Sequence, residues 1–305
     1  KLRQLHTEGK KAQAKVESGF AVEVSIAKAM FAKEDYADFE LVDGLDLPCG
    51  EVALDQVLPY FDWRTFFAIW GIKSRDIAAG GLEIDRIRKD AEDTLKGIAC
   101  SIRAGMKFYP ANAEDDCILV DGVGEFPMVR RDEKFGKNLS LSDFIAPKSY
   151  GMKSPFGVFA ISVHGGHEGG CGCLACNNDY DKVLERILRL TLAEAVSSWL
   201  GNKIAERIPQ DMKVVRPAAG YSSCPDHTLK ADFLRMLPEA EKLEISLTES
   251  YAMEPDASIC GCVFVHKQAS YPEIRKISQE AYDKYAEKRG LSPEKARQFL
   301  SHLLD

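Results

Sequence analysis

Two patterns of hydrophobic and polar positions run through the chain, a helical spacing and short apolar segments. Between residues 84 and 103, apolar side chains recur at spacings of three and four, which predicts a helix with one buried face. The same spacing over residues 180–208 predicts the longest helix of the chain. Short apolar segments predict four strands, at Cys117–Val120, 156–163, 243–248 and 259–266.

Local start signals place further helices. One helix is predicted over residues 54–60 and another over 62–70. Pro225 suits the first turn of a helix covering residues 226–237, because a proline there loses no hydrogen bond. Two helices close the chain, and Ser292-Pro293-Glu294 opens the last one with a cap, a first-position proline and an acid that complements the helix dipole.

The order of these elements indicates the fold class. Strands and helices do not alternate as βαβ units, and no G-x-G-x-x-G follows a strand. This argues against a Rossmann-type methyltransferase. The pattern instead favours a mixed α+β fold with a mainly antiparallel sheet.

Composition narrows the class of protein. The 305 residues are 45% hydrophobic and 29% charged, which suits a globular chain with one large core or two small ones. The net charge of −7 argues against nucleic acid or an anionic membrane as the main partner. No apolar run is long enough to cross a bilayer, and no signal peptide is visible. We therefore expect the nine cysteines to be reduced thiols in a cytoplasmic protein.

Residues 216–227 carry the most informative motif, Arg-Pro-Ala-Ala-Gly-Tyr-Ser-Ser-Cys-Pro-Asp-His. Pro217 keeps Arg216 out of the helical region and in an extended conformation. Gly220 permits a positive φ and close approach of the backbone to a ligand. These residues predict an irregular ligand-binding loop that leads into a helix. Taken by composition alone, the same residues also fit an ordinary turn before an amphipathic helix.

The pattern R-x-x-x-G-Y-x-x-C-P-x-H resembles the signature of the S-adenosylmethionine-binding activation domain at the C-terminus of cobalamin-dependent methionine synthase. The resemblance extends in order from about residue 42 to beyond residue 271. Further matching segments are Tyr60-Phe61-Asp62-Trp63, Phe66-Phe67, Phe108-Tyr109-Pro110-Ala111-Asn112, Asp143-Phe144-Ile145-Ala146-Pro147-Lys148, Leu192-Ala193-Glu194-Ala195, Thr248-Glu249-Ser250-Tyr251-Ala252-Met253 and Ser258-Ile259-Cys260-Gly261.

This resemblance implies a fold, a domain division and a function. The fold would be α+β, with a mainly antiparallel bent sheet and surrounding helices. Residues 1–41 would be a lysine-rich, helical linker, and residues 42–305 the activation domain. Its implied function is to bind S-adenosylmethionine for the reductive methylation of inactive cob(II)alamin to methylcobalamin, in methionine biosynthesis. We expect a methyltransferase module without turnover of its own, and the initial Lys1 favours a fragment or a processed chain.

The resemblance also implies partners and binding residues. Cobalamin would be held by a separate domain or chain, and a flavodoxin-like donor would supply the electron. The predicted ligand contacts are the guanidinium of Arg216 on the carboxylate, Asp62 and Glu194 on the ammonium or ribose hydroxyls, the rings of Tyr221 and Tyr271 on adenine or sulfonium, the backbone of Ala218 and Gly220, and the wall at Pro272.

Each of these residues also has a simpler interpretation. Asp62 equally fits a helix cap, and Glu194 a solvated position on a helix. The two tyrosines fit core packing, and His227 fits either an acid–base group or a structural histidine. No nucleophile–base motif is present, so no catalytic residue is predicted.

A glycine-rich segment departs from the family, because it crowds two histidines and three cysteines together. The low-ranking metal candidates are His164, His167, Cys171, Cys173 and Cys176. The C-x-x-C pair at its end has zinc-like spacing, but no second pair follows. Free thiols or a redox pair remain alternatives, and we predict no metal site. Glu254 and Pro272 stand where the family leads us to expect aromatic residues.

Two other functions compete with the synthase module. One is a stand-alone S-adenosylmethionine-binding module that senses the ligand or services another corrinoid protein in trans. No cobalamin-binding D-x-H-x-x-G occurs in the sequence, so either form would need a corrinoid partner. The other is a metalloprotein centred on the cysteine and histidine segment.

Overall fold

An antiparallel sheet forms the centre of the fold in a computed structural model that describes residues 31–131, 138–165 and 179–304. Its strand order is β4-β3-β2-β5-β9-β6, with β1 paired to β2 on the same edge as β3. Strands β7 and β8 form a separate two-stranded ribbon. The strands are β1 Leu47–Val52, β2 Cys100–Glu114, β3 Cys117–Val120, β4 Gly124–Pro127, β5 Ser154–Gly165, β6 Lys213–Val215, β7 Ser246–Leu247, β8 Met253–Glu254 and β9 Ser258–His266.

Helices surround this sheet, which confirms the predicted α+β class. The α-helices of the described ranges are α1 Leu54–Val57, α2 Trp63–Trp70, α3 Ser74–Ala79, α4 Leu82–Lys96, α5 Asp179–Ala205, α6 Leu229–Met236, α7 Gln279–Lys288 and α8 Pro293–Leu300. The predicted start of the last helix is confirmed, because the Lys295 backbone N–H donates to the Ser292 hydroxyl at 3.3 Å. The three- and four-residue spacing likewise located α5, the longest helix.

Three predicted elements were misplaced. The helix predicted to reach residue 103 ends at Lys96, and residues 100–103 begin strand β2. The predicted strand at 243–248 is only the two residues of β7. The helix predicted from residue 226 begins at Leu229, because the Asp226 carboxylate accepts the Thr228 N–H at 2.8 Å and holds a turn there instead.

The sheet separates two hydrophobic cores. Successive side chains of β5 point to opposite faces, as the period of a strand requires. Phe156, Val158 and Ala160 face one core, and Phe159, Ile161 and Val163 face the other. Helix α6 covers the first face and α5 the second. The end of β6 therefore lies where a loop can reach both helices.

Residues 31–41 pack against this body. Phe31, Tyr36 and Ala37 are buried, and the rings of Phe31 and Tyr36 lie against His266 at the end of β9. The boundary between linker and domain stays a prediction, although these residues contribute to the core. Residues 1–30 of the predicted helical linker lie outside the described residues. In the part of the chain that the structure describes, no helix is long and apolar enough to span a bilayer.

Candidate functional site

The informative loop begins where edge strand β6 ends. Strand β6 pairs with β9, and the chain continues beside β9 past Arg216. The Cys262 N–H donates to the Pro217 carbonyl at 3.0 Å, and the Ala219 N–H donates to the Cys260 carbonyl at 2.9 Å. Ala218 thus lies opposite Gly261 as an extension of the ladder. The loop backbone is anchored to the central sheet rather than free in solvent.

Gly220 provides the turn that the sequence predicted. Its φ is +94°, a conformation that strains any residue with a side chain. A Cβ added there would lie 2.4 Å from the His227 ring, so the imidazole packs directly on the loop backbone. His227 therefore supports the loop. Its Nδ1 accepts a hydrogen from Lys230 Nζ at 3.1 Å, and burial, then the Lys230 charge, lowers the pKa of His227.

Arg216 extends from the loop toward helix α5. Its backbone N–H donates to the Tyr271 hydroxyl at 2.9 Å, and its Nε donates to the Ser197 hydroxyl at 3.3 Å. A Cβ added to Gly201 would lie 1.6 Å from Arg216 Nη1, so the guanidinium rests on the bare backbone of α5. Neither Ser197 nor Gly201 was identified from the sequence. The available signal was a glycine inside a helix, where glycine is disfavoured.

Glu194 lies on the same helix and is electrostatically coupled to Arg216. Burial raises the pKa of Glu194, and the Arg216 charge opposes that rise. Burial lowers the pKa of Arg216, against the influence of Tyr271 and Glu194. Across the described ranges, neither residue forms an ion pair within 4 Å. A cation and a carboxylate are therefore partly buried near each other while each keeps unused hydrogen-bonding capacity. We call this region between helix α5 and residues 216–221 the groove.

Two tyrosines border this groove and are exposed rather than packed in the core. Tyr221 is 61% exposed and Tyr271 53% exposed. Partial burial, then the charge of Glu194, raises the pKa of Tyr221, which places its phenol near that carboxylate. The neighbouring Pro272 is buried. The structure thus brings together Glu194, Arg216, Tyr221 and Tyr271.

Asp62 caps a helix in the structure. Its carboxylate accepts the Arg64 N–H at 3.0 Å and the Thr65 hydroxyl at 3.1 Å, so it caps helix α2. The alternative interpretation of Asp62 as a cap is therefore confirmed. The segment before it is tied to helix α5, because Asn202 Nδ2 donates to the Tyr60 hydroxyl at 2.9 Å.

A cavity of about 280 Å³ lies beside the loop. It is lined by Ala218, Tyr221, His227, Lys230 and Ser258, among others. Lys230 Nζ also donates to the Tyr251 carbonyl at 2.9 Å, and burial lowers its pKa. Lys230 thereby links α6 to residues 248–253, and His227 packs against the loop backbone at Gly220.

The metal candidates receive no support from the described residues. His164 Nε2 contacts the Ser162 hydroxyl at 2.9 Å and the Leu243 carbonyl at 3.0 Å. No group of three or more metal-ligating side chains occurs within residues 31–131, 138–165 and 179–304. His167, Cys171, Cys173 and Cys176 lie outside the described residues.

Comparison with known proteins gives two findings. The family model described as the vitamin B12 dependent methionine synthase activation domain matches residues 53–290. Among solved structures, the chain is similar to the crystal structure of the MetH reactivation domain bound to AdoHcy. The two are 29% identical, with a TM-score of 0.74, over 84% of this chain and 89% of that one.

Proposed function

Since this chain belongs to the family of vitamin B12-dependent methionine synthase activation domains, we propose that it binds S-adenosylmethionine in the groove between helix α5 and residues 216–221. The bound ligand would supply a methyl group for the reductive methylation of cob(II)alamin. The similar MetH domain carries AdoHcy, the demethylated form of the same ligand, which supports this choice of ligand class.

The observation that carries the proposal is the Arg216–Glu194 arrangement. The amino-acid end of S-adenosylmethionine carries one carboxylate and one ammonium at neutral pH. Arg216 is a partly buried cation that needs an acceptor, and Glu194 is a partly buried acid that gains from a donor. A zwitterion satisfies both at once. It also offsets the cost of keeping the two charges out of water.

The aromatic border suits the rest of the ligand. A sulfonium against the exposed face of Tyr221 or Tyr271 would gain about 0.5–2 kcal/mol from a cation–π contact, and the neutral adenine ring would stack on the other tyrosine. The backbone of Ala218 and Gly220 lies along the same loop and would form the remaining contacts. Asp62 is proposed as a further acceptor for the ligand. The Tyr60–Asn202 hydrogen bond supports this, because it ties the segment before Asp62 to helix α5.

The chemistry asks little of this chain beyond positioning. The sulfonium activates the methyl group, so the transfer needs no general base. Methyl transfer to the cobalt of a cobalamin held by a separate domain or chain would follow one-electron reduction by a flavodoxin-like donor. The role of Arg216 and Glu194 is to fix the amino-acid end, so that the methyl group is held in one position for transfer.

The finer assignments belong to the same proposal. The chain would act as the activation module of a 5-methyltetrahydrofolate–homocysteine methyltransferase, in the cytoplasm, and without turnover when isolated. The cobalamin-binding motif D-x-H-x-x-G is absent from the sequence, which supports a partner domain or chain as the holder of cobalamin.

Calorimetric titration of S-adenosylmethionine into the purified chain tests the proposal. We expect saturable one-to-one binding, weakened about ten- to hundredfold by Arg216→Ala, because a hydrogen-bonded charge pair contributes about 1.5–3 kcal/mol. Arg207→Ala, which removes an exposed arginine after α5, is the matched control and should leave affinity unchanged. A folded wild-type chain that does not bind S-adenosylmethionine would overturn the proposal.

A further inference from the structure

We infer that Gly201 and Ser197 of helix α5 are positioning residues that hold the Arg216 guanidinium in place to receive the carboxylate of S-adenosylmethionine. The inference rests on the proposed function and adds two residues to its site. Their role is indirect, since they act through Arg216.

Helix geometry places the relevant residues on one face. Glu194, Ser197 and Gly201 are separated by three and then four positions, the spacing at which side chains line the same side of a helix. This face is directed at the Arg216 side chain. The Ser197 hydroxyl accepts from Nε, and Glu194 supplies the opposite charge from beyond ion-pair distance.

Gly201 makes room for the cation. An added Cβ would lie 1.6 Å from Nη1, 2.4 Å from Cζ and 3.1 Å from Nη2 of Arg216. The guanidinium therefore occupies the space that any other residue would fill with its own side chain. Gly201 does not have a positive φ, so the backbone of α5 does not itself require glycine. The arginine provides the reason for a residue that otherwise weakens a helix.

The arrangement leaves the useful edge of the guanidinium free. Ser197 engages only Nε, and Nη1 and Nη2 make no hydrogen bond to any residue within the described ranges. Two adjacent N–H groups are the donors that pair with a carboxylate in a fork-like geometry. Gly201 and Ser197 thus restrict where the fork lies before the ligand arrives.

A methyl group at residue 201 should therefore displace the cation and leave the fold intact. The atoms in its way are the end of a flexible side chain rather than backbone. Alanine is also a better helix former than glycine, so Gly201→Ala should keep or raise the unfolding temperature. Affinity and stability should then change in opposite directions.

The test compares two ligands that differ at the amino-acid end. S-adenosylmethionine and 5′-methylthioadenosine, which lacks that end, are titrated into wild type and into Gly201→Ala, Ser197→Ala, Arg216→Ala and the Gly201→Ala/Arg216→Ala double variant. Gly201→Ala should weaken S-adenosylmethionine binding about tenfold or more and 5′-methylthioadenosine binding less than about twofold. The double variant should be no weaker than Arg216→Ala, because coupled residues are not additive.

Ser197→Ala should give a smaller loss with the same selectivity for S-adenosylmethionine. Ser198→Ala, which changes the exposed neighbouring hydroxyl, should have no effect. Wild-type affinity in Gly201→Ala, an equal loss for both ligands, or a loss that adds to that of Arg216→Ala would overturn the inference alone. Failure of wild type to bind S-adenosylmethionine would overturn the proposed function, and the inference with it.

Discussion

Arg130 and Arg216 are both drawn into the protein, but their guanidinium groups have different surroundings. Arg130 is 11% exposed and donates to Asp116 through Nε and to Asp143 through Nη1 and Nη2, each at 2.7 Å. Burial opposes its charge, but hydrogen bonding to Asp143 and the charges of Asp143 and Asp116 outweigh burial and raise the pKa of Arg130. The guanidinium of Arg216 has a single partner, the Ser197 hydroxyl, and burial lowers the pKa of Arg216.

The difference separates an arginine that maintains the fold from one that has donors free for the ligand of the proposed function. A buried cation whose hydrogen bonds are all filled by the protein contributes to stability and has nothing left to offer. A similar cation with free donors is a cost to the folded state unless something else supplies the acceptor. Burial is common to both arginines, so unfilled hydrogen-bonding capacity is what distinguishes the arginine proposed to bind the ligand.

The largest effect is expected from removing Arg130, the arginine whose hydrogen bonds are all made within the protein. Arg130→Ala leaves the carboxylates of Asp116 and Asp143 without their cation, and Asp143 is almost fully buried. Loss of one member of a buried ion pair costs about 3–5 kcal/mol, so the free energy of unfolding should fall by about that amount. Denaturant unfolding measures it, with Lys148→Ala as a control that breaks an exposed ion pair with Glu114 and should have little effect.

A loss in Arg130→Ala no greater than that of the control would remove the distinction between the two arginines. The same unfolding measurement on Arg216→Ala should show little change or a small gain, because the cation removed there is poorly compensated.

The sequence predicted Arg216 and its neighbours Glu194, Tyr221 and Tyr271, but not Ser197 and Gly201. Arg216 lies in a motif of consecutive residues, so its local pattern carried the information. Ser197 and Gly201 are distant from Arg216 in sequence and contact it only in the folded protein. The periodic apolar positions of helix α5 do not indicate which loop packs against these two residues. Asp62 illustrates the reverse case, since its capping contacts are local and were predictable from sequence position.

The same reasoning accounts for the errors in the fold. Ile98 and Ile102 continue the three- and four-residue spacing of helix α4. Ile102, however, belongs to strand β2 and is buried there. Apolar spacing alone does not distinguish the two states over so short a stretch. Gly97, directly after the last residue of α4, was the local signal for the break.

A smaller effect is expected when the charge of Arg216 is kept and the paired N–H donors of its guanidinium are removed. Arg216→Lys retains a cation on a long side chain, but an ammonium cannot make the paired contact of a guanidinium with a carboxylate. Affinity for S-adenosylmethionine should fall about tenfold, less than for Arg216→Ala, and the free energy of unfolding should hardly change. Titration calorimetry and denaturant unfolding on the same samples measure both. Equal affinity for Arg216→Lys and wild type would mean that charge alone, without the fork, holds the ligand.

The smallest expected effect concerns the acid that faces Arg216. Burial raises the pKa of Glu194, so the folded chain holds this proton more tightly than the unfolded chain does. The resulting stability is fully present below the unfolded-state pKa and is lost as the pH rises through the folded-state pKa. Above the folded-state pKa the ionised Glu194 is thus slightly unfavourable. Glu194→Gln should raise the thermal midpoint there, and the gain should shrink as the pH is lowered.

Thermal unfolding of wild type and Glu194→Gln at neutral and mildly acidic pH measures this gain. Glu249→Gln, at an exposed position, provides the control and should show no comparable dependence on pH. A variant less stable than wild type at neutral pH would mean that attraction to Arg216 outweighs the burial of Glu194. The two charges would then already satisfy each other, and the contrast between Arg216 and the internally paired Arg130 would be lost.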